Sequence, residues 1–87
     1  MADDRVRVVI TGMGAMTPLG ETPELYWQNL VAGISGIGPM TLCDPDGYPC
    51  RISGEVSGFD PGTYIDNREA RRMARFTQLA VAAALQA

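Results

Sequence analysis

Val6-Arg-Val-Val-Ile-Thr-Gly-Met-Gly14 is the stretch on which the reading of the fold turns. Its first six residues are nearly continuously apolar and β-branched, the pattern of a strand covered on both faces, as in a parallel sheet layered with helices. Gly12 and Gly14 would let the chain leave that strand sharply, and Pro18 and Gly20 keep the next residues irregular. This implies an α/β class, because a two-sided strand needs helices over it and strands along both of its edges.

Working outward, Thr22 suits an N-cap, Pro23 the first helical position and Glu24 the positive end of the dipole. Trp27, Leu30 and Val31 fall at i, i+3 and i+4, which predicts one buried stripe, and Gly33 a left-handed cap. The glycine-rich run from Gly33 to Pro39 reads as a tight loop. Arg51 to Val56 reads as a short strand with a bulge near Gly54, and Asp60-Pro61-Gly62 as a turn. A second helix is predicted from Asp66, with Glu69 completing a capping box and Ile65 as the flanking apolar residue, running unbroken to Ala87. Its last turns, Leu79 to Leu85, are apolar all round, as in a helix buried in something larger. One two-sided strand and one all-round apolar helix cannot cover each other. Residues 1–87 therefore read as a fragment of something larger. Tyr26, Trp27, Met73 and Phe76 are expected to pack in a core or interface, as are Met13 and Met16.

The 87 residues carry a formal charge of −3, which argues against a broad nucleic-acid surface. The acidic start lacks the apolar core of a signal peptide, and no run is long enough to span a bilayer, so a cytoplasmic protein is expected. There is no histidine, which removes a Cys-His pair, a Ser-His-Asp triad and any histidine metal site from this chain. Cys43 and Cys50 flank a turn-rich stretch. They read as reduced cysteines at the ends of a loop, with a disulfide or metal role as the alternative. Gly12-Met-Gly14 invites a dinucleotide reading, but Thr17 stands where that fingerprint needs a third glycine and the helix starts too late to meet a pyrophosphate. No cofactor is expected.

Four blocks in order point to a family. Val8-Val-Ile-Thr-Gly-Met-Gly-Ala-Met-Thr-Pro-Leu-Gly20 resembles the opening of β-ketoacyl-acyl-carrier-protein synthases. Gly33-Ile-Ser-Gly-Ile-Gly-Pro-Met40, then Gly54-Glu-Val with Phe59-Asp-Pro and Tyr64-Ile-Asp, and finally Arg68-Glu-Ala-Arg-Arg-Met-Ala-Arg-Phe76, resemble the successive next blocks of those enzymes. Thr17-Pro18 and Arg71-Arg72-Met73 are closer to the synthase II type, and Ala74 departs from an aspartate often found in the family. The resemblance implies a thiolase-like fold of two similar α/β halves, of which this chain is part of the first. It also implies a homodimer and fatty-acid elongation by decarboxylative condensation of malonyl-carrier protein with an acyl-enzyme thioester. The catalytic cysteine and two histidines it implies cannot be assigned to any residue here. A polyketide-type ketosynthase, an inactive chain-length partner and a non-catalytic carrier-protein-binding fragment are the alternatives.

Arg68, Arg71, Arg72 and Arg75 stand at i, i+3, i+4 and i+7, which on one continuous helix covers an arc of roughly 100°. Near a helix N-terminus they would oppose the macrodipole, a placement that suggests an anionic partner. The resemblance implies docking of the acidic acyl carrier protein on Arg68, Arg71 and Arg72. A plain solvated face, with Arg72 bridging Glu69, is the other reading of the same spacing.

Overall fold

The computed structural model describes residues 4–87. The order is helix α1 (Pro23–Val31), strands β1 (Ile37–Pro39) and β2 (Ile52–Gly54), a 3-10 turn at Pro61–Thr63, and helices α2 (Asn67–Ala70) and α3 (Arg75–Gln86). Helix α1 starts as its local chemistry dictates. The Thr22 hydroxyl accepts from the Leu25 amide at 3.2 Å, and Pro23 occupies the first turn. It ends in a Schellman motif: Gly33 sits at φ +76°, its amide donates to Leu30 O and the Ile34 amide donates to Asn29 O. The predicted stripe is present but uncovered, with Trp27 64% and Val31 66% exposed.

Strand β1 falls inside the segment read as a loop. It pairs antiparallel with β2 in the register Ile37↔Gly54, Gly38↔Ser53, Pro39↔Ile52, so the ladder runs evenly through Gly54 instead of bulging there. Gly36 and Gly38 signal a turn in the sequence. In the structure Gly36 instead admits the neighbouring Thr17–Gly20 turn, since a Cβ on it would stand 2.7 Å from Pro18 Cβ. The Met40 amide extends the pairing to Arg51 O at 2.9 Å. The Asp60-Pro61-Gly62 turn forms as a short 3-10 helix capped by the Asp60 carboxylate on the Gly62 amide.

Further expectations are corrected. Val6–Thr11 forms no strand: Val6 is 88% and Ile10 83% exposed, and none of its backbone groups pairs with another among the described residues. A two-sided strand is held by its neighbours, and no strand lies along either edge of this run. The final helix is not continuous either. Helix α2 ends at Ala70, and Ala74, extended at φ −67° and ψ 157°, restarts the chain as α3. Gly12 and Gly14 serve packing rather than a sharp exit. A Cβ on Gly14 would lie 1.8 Å from Ala83 O, and one on Gly12 2.3 Å from Ala87 O. The chain at Gly12 to Ala15 thus lies with its backbone against the end of α3.

Gln86 fastens that contact. Its amide accepts from the Ala15 N–H at 2.9 Å, and its NH₂ donates to Tyr64 Oη at 3.1 Å and to Glu21 O. Only Ile65, Ala70 and Ala82 are buried among the described residues, so the core is a thin seam between α2, α3 and the 3-10 turn.

Candidate functional site

The arginine segment is built from two helix ends and the turn between them. Asp66 caps α2, its carboxylate accepting from the Arg68 amide at 3.4 Å. Glu69 stands three residues on but closes no capping box. Arg71 is the C-cap of α2, and its backbone donates to Asn67 O at 3.2 Å. The Arg72 and Met73 amides then tighten the turn onto Glu69 O and Ala70 O, each at 3.0 Å. The Gln78 side chain reaches back and donates to Ala70 O at 2.9 Å, covering a carbonyl that a continuous helix would have used. The break therefore costs few backbone bonds.

It also changes the electrostatics. Arg71 and Arg72 lie at the C-terminal end of α2, where positive charge is favoured in sign, not at the N-terminus of a long helix. The i, i+3, i+4, i+7 stripe is divided. Arg68, Arg71 and Arg72 remain together on α2 and its exit, all exposed, while Arg75 opens α3. Among the described residues no hydrogen bond or ion pair holds the guanidinium of Arg68, Arg71 or Arg72, so the expected Arg72–Glu69 bridge is not formed. These three are free to meet a partner. Arg75 is committed elsewhere: its guanidinium donates to Val56 O and lies 5.7 Å from the centre of the Phe59 ring. It ties α3 to the segment after β2.

The comparisons with known proteins take in nearly the whole chain. A model of the β-ketoacyl synthase N-terminal domain matches residues 5–87. The chain belongs to the β-ketoacyl synthase family. A 3-oxoacyl-acyl-carrier-protein synthase 2 of Synechocystis sp. is 49% identical over 84 residues, covering 97% of this chain and 20% of that protein. Proteins of the same name from Staphylococcus aureus strains MRSA252 and COL are 45% and 46% identical over 82 and 81 residues, each with 20% of its length covered. The chain thus spans about a fifth of the relatives it matches, which bounds what this synthase segment can hold.

Sequence reasoning missed Arg75, Gln78 and Glu55 as organising residues. Glu55 accepts from the Thr41 hydroxyl at 2.6 Å, the Thr41 amide at 2.7 Å, the Leu42 amide at 3.2 Å and the Ser53 hydroxyl at 3.0 Å. The Thr41 hydroxyl and amide are the main reason its carboxyl is held down at about 2. All three residues act across loops at separations no local pattern encodes. Cys43 and Cys50 carry unbridged, exposed thiols near the two ends of the loop after β1.

Proposed function

We propose that the protein of which this chain is the N-terminal segment is a condensing enzyme of fatty-acid synthesis. In this reading it adds two carbons to an acyl chain carried as an enzyme thioester, using the carbanion released when malonyl-carrier protein loses CO₂. The observation that carries the reading is the 49% identity, across 97% of the chain, to a protein named 3-oxoacyl-acyl-carrier-protein synthase 2. The fold of the whole would be the thiolase-like pair of α/β halves, residues 1–87 opening the first, and the working unit a cytoplasmic homodimer. No helix among the described residues is long and apolar enough to cross a membrane.

Within this segment the proposed role is docking. Three exposed arginines without internal partners fit an acidic helical carrier protein, since each guanidinium can bind a carboxylate through two parallel hydrogen bonds. The condensation chemistry belongs to residues outside this chain, which has no histidine. The test is to read the coding frame beyond the codon for Ala87 and assay the complete product with acyl- and malonyl-carrier protein. A frame supplying a cysteine and two histidines, with formation of the 3-oxoacyl product, supports the reading. A complete product lacking them, or inert with both substrates, overturns it. In that protein Arg71→Glu should weaken carrier-protein binding by about 3- to 10-fold, the worth of one or two exposed ion pairs, and make the remaining affinity less sensitive to salt. Unchanged affinity at low salt would refute docking at Arg71.

A further inference from the structure

The loop between β1 and β2 holds the chain's two cysteines against one cleft. The Met40–Arg51 backbone pair closes its base. Inside, the Asp44 carboxylate accepts from the Asp46 amide at 3.0 Å, and the Tyr48 amide donates to Pro45 O at 3.2 Å. Gly47, at φ +85°, is the residue that lets this turn close. Pro45 and Pro49 stiffen the two limbs. The chain is reversed between the cysteines, and both then line the same apolar cleft of about 300 Å³ with Met40, Tyr48 and Pro49. Both thiols are exposed and reduced.

We propose that Cys43 and Cys50 are a dithiol–disulfide pair, oxidised by hydrogen peroxide and cross-linking the loop across this cleft. The two thiols are not equivalent. Cys50 is engaged, donating its S–H to Ile52 O at 3.4 Å, whereas no such bond occupies the Cys43 sulfur, which is left open to the peroxide. Cys43 is therefore the first to react. Its thiolate takes the distal oxygen of the peroxide, the O–O bond breaks, and a sulfenic acid and one water result. Cys50, as thiolate, then attacks the Cys43 sulfur. The S–O bond breaks, the S–S bond forms, and hydroxide leaves to be protonated as a second water. In total two thiols are oxidised by two electrons and one peroxide is reduced to two waters. The cross-link would fix the limb carrying Thr41, which Glu55 holds against β2.

Trypsin places both cysteines in one peptide, because no lysine or arginine lies between Arg7 and Arg51. The protein expressed from its complete reading frame is reduced, desalted, exposed to hydrogen peroxide, alkylated and digested. The expected result is that the peptide of residues 8–51 loses the mass of two hydrogens, resists alkylation at both positions, and regains both thiols on reduction. Cys50→Ser under the same treatment should leave a sulfenic acid at Cys43 that dimedone captures, well in excess of capture at Cys50 in Cys43→Ser. Alkylation of both thiols after peroxide, or disulfides from this peptide to other cysteines, would overturn the pairing. Equal dimedone capture in the two variants would overturn the assigned order.

Discussion

Glu55 is the residue on which the hairpin's geometry depends, and its charge sets when that holds. Four donors, led by the Thr41 hydroxyl and amide, favour the carboxylate and bring its carboxyl from 4.5 down to about 2. A folded-state value below the unfolded one means that the group stabilises the fold above pH 4.5. That contribution is lost as pH falls from there through about 2. A carboxyl chemical-shift titration should find the Glu55 midpoint near 2, with the Thr41 amide losing its hydrogen-exchange protection over the same interval. In Glu55→Gln that protection should be weaker at neutral pH and independent of pH below it; a midpoint near 4.5 in the parent would refute the clamp. Arg75 makes the opposite case among the arginines. Arg75→Ala should cost about 1–2 kcal/mol, from one charged hydrogen bond and one exposed cation–π contact, measured by denaturant unfolding of the full-length protein. Its carrier-protein affinity should stay within about twofold of the parent, unlike Arg71→Glu.

Among the elements, the ends of α1 were legible because their signals act locally. Thr22 reaches an amide three residues on, and Gly33 supplies a conformation that other residues rarely adopt. The break between α2 and α3 was not legible. Ala70 through Phe76 are good or neutral helix formers, and their apolar spacing continues without interruption. What decides it is tertiary: Gln78 serves the Ala70 carbonyl, and Arg75 is drawn to Val56 and Phe59. Strand β1 was hidden for a related reason, since the glycines in and beside it spelled a turn, whereas Gly36, just before it, is there to admit Pro18. The docking candidates were legible as residues but not as a surface, because the same break removes Arg75 from the stripe. If Gln78 holds the break, Gln78→Ala should destabilise the protein by about 1 kcal/mol and lower the exchange protection of the Met73 amide, which bonds to the same carbonyl. An unchanged Met73 amide would mean that backbone geometry alone makes the turn.

For the molecule as a whole, the balance of surface and volume is decisive. A folded monomer of this mass exposes about 5,000 Å² and has a radius of gyration of about 12 Å. This chain exposes 7012 Å² and has a radius of gyration of 17.4 Å, with extents of 66 × 37 × 22 Å. The excess is largely the side chains that the sequence marked for burial: Val6, Val8 and Ile10 on the N-terminal run, Trp27 and Val31 on α1, and Phe76 and Leu85 on α3. Their destination was legible as burial but not as an address, because no surface among the described residues covers them. The contact of the chain after Thr11 with α3 depends on close backbone approach at Gly14. Gly14→Ala in the complete protein should therefore cost at least about 1–3 kcal/mol, as the new methyl group must push against Ala83 O. The isolated 87-residue polypeptide has a different fate. Its three buried residues cannot offset the entropy of ordering the rest, so it should unfold without a cooperative heat-absorption peak, bind a hydrophobic dye such as ANS, and show little amide protection outside α1 and α3. A sharp calorimetric transition from that polypeptide as a monomer would show that the exposed run and helix faces find cover among themselves. The Val6–Thr11 segment would then have to pair in a way the present architecture does not contain.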